Sequence, residues 1–304
     1  MPKSPEAAKS KSELKEEIIT SLETLRPNLT KSSAKTYASV LSNLLDKVNV
    51  KQYEIDSFMK HKAKILKYFK NSELSLQTKK TTLSALFVLT NHIPYRTLMI
   101  ELANEVNEMY KTQKLSKRQE AANISFDDVK EKLAELKTEM ETHKDEETYV
   151  SYLLLGFMSG IYTPPRRNEI FSIKKRNYDP DTDNYIKGNS FIYNTYKTSK
   201  KYGRQEVKIP KELLQATRAW FRKNSHSDYL FTHKGKEMKS SQMTVRLNKI
   251  FDGRKISAND LRRIFLTEYY KDMPKLNEME DLATAMGHSH ATSLSRYVKM
   301  DSPK

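Results

Sequence analysis

The sequence has no cysteine. That excludes disulfide bridges and thiolate chemistry, and it suits a reducing compartment. No apolar run approaches the roughly 18 residues of a membrane-spanning helix, and no basic amphipathic anchor stands apart from the rest. The opening stretch, MPKSPEAAKSKSELKEE, carries no apolar core and does not read as a secretory signal. An intracellular location is expected, in cytoplasm or nucleus. The seven histidines are scattered. None has the two-His helix spacing of a zinc site, and the His288/His290 pair has no evident third ligand, so no metal site is expected. Acidic residues are the scarcer charge: 38 Asp and Glu stand against 54 Lys and Arg, for a net charge of +16. A field of that sign attracts polyanions, of which nucleic acid is the commonest large one.

What is present is enough chain, 304 residues, for two domains. Hydrophobic residues make up 37% and charged residues 30%, a balance that supports folded cores under a charged surface. Residues 1–12 read as a disordered basic lead. Apolar residues then recur with helical period. Leu14, Ile18, Leu22 and Leu25 form one stripe, stopped near Pro27. Tyr37, Val40, Leu41, Leu44, Leu45 and Val48 form the cleanest. Further stripes run through Ile55–Phe69, Leu83–Leu89 and Met99–Met109. Residues 13–110 therefore read as an all-helical domain, with lysines flanking most stripes.

Residues 111–123 (KTQKLSKRQEAAN) lose the apolar pattern and read as a basic linker. A second domain, 124–304, follows. Ser125 and Asp128 make a capping box for a helix carrying Val129, Leu133, Leu136 and Met140. Tyr149 to Met158 is apolar nearly all round and predicts a buried helix. After residue 173, NYIKG, SFIYNTYK and RQEVKIP read as short antiparallel strands between turn residues. Helices are expected again over 211–223, 240–251, 258–271, 276–286 and 290–299.

Cutting a phosphodiester without a metal sets chemical requirements. A side chain must be able to carry the phosphoryl group. Fixed cations must stabilise the non-bridging oxygens, and a donor must protonate the leaving oxygen. Arginine suits the clamp because its planar fork matches phosphate and stays charged. Lysine suits the acid because neighbouring cations tune its pKa down. Tyrosine suits a reversible nucleophile, since a sugar hydroxyl can attack the aryl ester again. Such a set occurs in order. SGIYTPPRRNEIFSI holds Arg166, Arg167 and Glu169 at an expected helix start. TYKTSKKYGRQEVKIP sets Lys197 on a hairpin with its turn at Ser199–Gly203. SANDLRRIF holds Arg262 in the first turns of a helix. MGHSHATSLSRYV puts Tyr297 nine residues after His288. Taken singly, each residue has an ordinary reading as packing, capping or solvated charge. Their joint order carries the argument.

These segments resemble the tyrosine recombinase (phage integrase) family. The match covers Arg166 with Glu169, then Lys197, then Leu261-Arg262, then Met286-Gly287-His288, then Tyr297, and it extends over about residues 125–300. In the first domain, SSAKTYASVLSNLL is the most family-like stretch. The resemblance implies a mainly α fold: a helical N-terminal DNA-binding domain, and an α-rich catalytic domain with a small antiparallel β-sheet, closing as a C-shaped clamp on duplex DNA. It implies a site-specific recombinase or integrase in which Tyr297 forms a 3′-phosphotyrosyl link. Arg166 and Arg262 would clamp the phosphate and Lys197 would protonate the 5′ oxygen. His288 would contact the phosphate or assist proton movement. No cofactor is implied. The partners implied are double-stranded DNA and further copies of the chain, as a tetramer on two duplexes. Arg167, Lys200, Lys201, Arg204, Arg263 and Arg296 are candidates for flanking phosphates.

Three features depart from the family pattern. Asn259 stands where the family has the first His of H-x-L-R, and Asn cannot be a general base at neutral pH. Thr163-Pro164-Pro165 replaces the usual small turn before the first Arg, which leaves the choice between Arg166 and Arg167 to spacing; Glu169 favours Arg166. Seven residues follow Tyr297, where relatives often have a longer segment that docks on a neighbouring subunit. Two alternatives stand beside the recombinase reading: a type IB-like topoisomerase and a non-catalytic DNA-binding relative. The Lys-, Asn- and Tyr-rich composition would suit an AT-rich genome, such as that of a virus or mobile element.

Overall fold

The computed structural model describes residues 9–111, 114–166, 168–233, 236–271 and 276–298. The chain divides into two compact units, residues 1–112 and 113–304.

The first unit is all helix among its described residues: α1 (Lys11–Leu25), α2 (Lys31–Lys47), α3 (Ser57–Lys60), α4 (Lys62–Asn71), α5 (Leu76–Thr90) and α6 (Ile93–Lys111). Side-chain caps fix several starts. Ser10 and Glu13 form a reciprocal capping box on α1, and Thr30 and Ser75 accept from backbone N–H groups on α2 and α5. The Ser10 cap starts α1 inside the stretch read as disordered; residues 1–8 of that stretch lie outside the described residues. The stripes form one core around Leu14, Ile18, Leu22, Leu41, Leu45, Phe58, Ile65, Leu83 and Leu86. Buried Tyr95 donates its hydroxyl to the Phe58 carbonyl at 2.7 Å, tying α6 to α3.

The second unit begins with α7 (Lys117–Ala121), a short capped helix within the stretch read as linker. Next come α8 (Phe126–His143), whose Ser125/Asp128 capping box forms as expected, and α9 (Glu146–Met158). Every residue of α9 from Thr148 onward is buried. Around α9 pack Phe191, Leu213, Phe231 and Leu247. The sole tryptophan, Trp220, stacks on Tyr149 of α9 and donates its indole N–H to the Leu230 carbonyl at 2.8 Å.

The sheet has order β1 (Ile173–Lys174), β2 (Asn184–Lys187), β3 (Ser190–Tyr193), β4 (Gln205–Lys208). β2, β3 and β4 are antiparallel as expected, but β1 runs parallel to β2, so the sheet is mixed. The cause is non-local. The other side of β1 pairs with residues 228–230, through Lys175 N to Asp228 O and Leu230 N to Ile173 O, each 2.8 Å. The remaining elements are α10 (Ser199–Tyr202), α11 (Lys211–Lys223), a hairpin of β5 (Thr232–His233) and β6 (Lys236–Glu237), α12 (Ser240–Ile250), α13 (Ala258–Tyr269), α14 (Leu276–Ala285) and α15 (His290–Thr292). The expected helix over 290–299 is instead α15 followed by one π turn, Ser293–Tyr297. That turn docks on the second half of α13 in a separate apolar cluster of Leu266, Tyr270, Met286 and Val298, flanked by Leu294 and Tyr297.

Leu153 is fully buried in α9, so Leu153→Ala is expected to destabilise the second unit by about 2–5 kcal/mol. The urea midpoint of Trp220 emission measures this; an unchanged midpoint would show that α9 is not the centre of that core.

Candidate active site

The site is built around the end of α14. That helix closes in a Schellman motif: Gly287 N donates to Thr284 O at 2.9 Å and His288 N to Ala283 O at 3.0 Å. Gly287 adopts φ +73°, the left-handed conformation that such an ending requires. Three side chains from elsewhere take the carbonyls exposed there. Arg262 Nη2 donates to Met286 O. Thr198 Oγ1 donates to Gly287 O at 2.9 Å. Gln205 Nε2 donates to Thr284 O at 2.8 Å. A guanidinium at the negative end of a helix is favourably placed.

Arg262 lies in the second turn of α13, as its spacing predicts, and is 3% exposed. Its Nη2 also reaches Pro165 O at 3.2 Å, so the Thr163-Pro164-Pro165 segment supplies an acceptor rather than opening a helix. The residues after it form only a 3₁₀ turn, Asn168–Ile170, in place of the expected helix start. Arg166 precedes that turn and is 2% exposed. Its guanidinium carbon lies 4.7 Å from the Tyr193 ring and 5.1 Å from the Tyr196 ring, and Nη2 donates to Gln205 Oε1. Its Nε and Nη1 are buried with no hydrogen-bond partner among the described residues. A Cβ on residue 287 would stand 3.0 Å from Nη1. Burial raises the pKa of both tyrosines, with nearby Glu169 adding to the effect against the opposing pull of Arg166. Arg166 therefore rests on neutral ring faces. Arg167 lies outside the described residues.

Tyr297 ends the π turn. Its ring stacks on the His288 ring at 5.3 Å and 22°, and the Arg262 guanidinium carbon is 5.3 Å from its centre. His288 Nδ1 lies 3.1 Å from Ser289 O and 3.2 Å from Ser293 Oγ. The H-x-H pair is split, since His290 packs instead on Tyr270. Asn259 is exposed in the first turn of α13, on the same face as Arg262. Lys197 is exposed on the β3–β4 connection. That connection contains α10 and is fastened at both ends. Asn184 Oδ1 accepts from the Asn194 and Thr195 N–H groups at 2.9 Å, and Tyr196 donates to Gly203 O at 2.6 Å. Next to Lys197, Thr198 ties the connection to Gly287.

Of the other cations, Lys200, Lys201, Arg204 and Arg296 are exposed. Lys201 lies over the Tyr202 ring and Arg204 reaches the Tyr185 hydroxyl at 3.5 Å. Arg263 differs from expectation. One residue on from Arg262, it turns inward, is 3% exposed and donates to Asn123 Oδ1 at 3.0 Å, so it does not face solvent. Sequence reasoning missed Tyr193, Tyr196, Thr198 and Gln205. Tyr196 and Thr198 flank Lys197 and could have been marked; Tyr193 and Gln205 meet only through strand register.

The phage integrase family matches this chain over residues 122–303, which includes every member of the cluster. The chain belongs to that family. Among solved structures, the integrase of the Tn1549 transposon, in complex with transposon right-end DNA, superposes with a TM-score of 0.53 at 15% identity. The match covers 94% of this integrase-family chain and 95% of that one, and it agrees with the fold assignment. XerA recombinase gives 0.43 at 16% identity, covering 96% and 94%. No curated protein matches the chain. Among the described residues no helix is long and apolar enough to cross a membrane.

Gly287→Ala is expected to cost about 1–3 kcal/mol, because an alanine there is strained in the left-handed conformation and its methyl meets Arg166. Thermal or urea unfolding measures the loss; an unchanged stability would show that the turn tolerates a Cβ.

Proposed function

We propose that this chain is a site-specific recombinase that cleaves and rejoins DNA through a 3′-phosphotyrosyl intermediate on Tyr297. The observation that carries the reading is the convergence of Arg166, Arg262, His288 and Tyr297 on the single turn that ends α14. They come from three segments of the chain, around residues 166, 262 and 288–297. Arg166 adds a specific argument: a buried guanidinium with two nitrogens unpartnered, and no carboxylate hydrogen-bonded to it, among the described residues is costly unless an anion completes it. A scissile phosphate is such an anion.

In this mechanism the Tyr297 oxygen attacks phosphorus and the bond from phosphorus to the 5′ oxygen breaks. Arg166 and Arg262 stabilise the charge that grows on the non-bridging oxygens. Lys197, on its fastened connection, gives a proton to the departing 5′ oxygen. His288 contacts the phosphate or moves the phenol proton. Asn259 donates an amide hydrogen bond to a phosphate oxygen, which needs no change of protonation. Attack by a 5′ hydroxyl on the aryl ester reverses the step and releases Tyr297, so neither a metal nor a nucleotide is consumed. Lys200, Lys201, Arg204 and Arg296 meet flanking phosphates, and the helical first unit binds the duplex. Strand exchange needs two duplexes, so the working assembly is a tetramer on DNA. Service to a virus or other mobile element belongs to the same reading.

With a nicked suicide duplex from the DNA flanking its gene, wild type is expected to give a denaturation-resistant adduct and Tyr297→Phe none. An adduct with Tyr297→Phe would remove Tyr297 as nucleophile. Binding without an adduct by the wild type would favour a non-catalytic relative, and relaxation of supercoils without a recombination site a topoisomerase. Arg262→Ala should slow cleavage by about 10²–10³-fold, with DNA affinity changed far less. Equal loss of both would refute the clamp role. Affinity itself should fall steeply and linearly on a log–log plot against salt; a flat plot would exclude a phosphate-dominated interface.

A further inference from the structure

We propose that Gln205 is a positioning residue that aims Arg166 and couples it to the α14 turn; this rests on the clamp role proposed for Arg166. Gln205 opens β4 directly opposite Tyr193, whose ring supports Arg166. Its side-chain oxygen accepts from Arg166 Nη2 and its side-chain nitrogen donates to Thr284 O. The orientation of the amide follows from its partners. A guanidinium can only donate and a carbonyl can only accept, so the oxygen must face Arg166 and the nitrogen Thr284. The same Thr284 carbonyl accepts from Gly287 N. One side chain thereby joins the first clamp arginine to the turn from which His288 emerges.

The chemistry of this position favours an amide over any other side chain. A glutamate would accept from Arg166, but it would present no proton to Thr284 O. It would also form an ion pair with the guanidinium and compete with a phosphate for it. A lysine would serve Thr284 O and repel Arg166. An alanine would leave Arg166 held only by ring faces, with a further buried N–H unsatisfied. Glutamine holds the cation without neutralising it, and leaves Nε and Nη1 for the incoming anion.

The test uses the suicide substrate cleaved by the wild-type chain, in single turnover at saturating protein, with DNA affinity measured in parallel. Gln205→Ala is expected to slow cleavage by about 10–100-fold, the scale of a misaimed catalytic group, with affinity within about twofold. Gln205→Glu should be slowed at least as much, although it retains the acceptor. A second substrate carries an uncharged methylphosphonate at the scissile position. There a clamp has less charge to stabilise, so the deficits of both Gln205→Ala and the control Arg166→Ala should shrink. Wild-type cleavage by Gln205→Ala beside a crippled Arg166→Ala would overturn the proposal and leave the clamp reading intact. A Gln205→Ala deficit equally large on both substrates would overturn it as general structural damage. Wild-type cleavage by Arg166→Ala would overturn the clamp role, and this proposal with it.

Discussion

The C-terminal end of α14 is the constraint on which the candidate site depends. A helix ends with carbonyls that have no partner within it. Here those of Thr284, Met286 and Gly287 are taken by Gln205, Arg262 and Thr198. Each donor belongs to a different element: the start of β4, the second turn of α13 and the β3–β4 connection. A helix ending is thus also the junction at which three distant parts of the second unit are fixed to one another. His288 follows immediately, and Tyr297 stacks upon it.

The two buried arginines depend on that junction in different ways. Arg262 donates from Nη2 to two carbonyls, those of Met286 and Pro165. Arg166 is held by two ring faces and one amide. None of these hydrogen bonds is to a carboxylate, so neither cation is neutralised through them. Burying the two cations gives up some stability, because charged groups are costly to take out of water. In return it keeps positive charge concentrated beneath one turn, where an anion would gain most from it.

Much of this was legible in the sequence, because it rests on local patterns. The apolar stripes of α1, α2 and α5 mark their buried faces, Ser125 and Asp128 announce α8, and the unbroken apolar run of α9 marks a central helix. The order Arg166, Lys197, Arg262, His288, Tyr297 marks the family, to which the chain belongs. What was hidden depends on contacts between distant segments. β1 is two residues long and takes its direction from neighbours on both sides. Arg263 reads as one more surface cation, yet it is as buried as Arg262, about 100° further round α13, where Asn123 from the stretch before α8 receives it. Gln205 carries no motif; its meeting with Tyr193 is fixed by strand register, which depends on how the chain between them turns.

The π turn at Ser293–Tyr297 has a consequence for Tyr297. Val298 N reaches back five residues to Ser293 O at 3.0 Å, so the turn is one residue wider than an α turn. Rewinding it to α geometry would exchange that hydrogen bond for another and advance the residues after the exchange point by about 100° around the helix axis. The direction of the phenol is therefore a screw coordinate, set by how many residues one loop of backbone takes up. Val298, fully buried against Leu266 and Tyr270, anchors the far end of that loop.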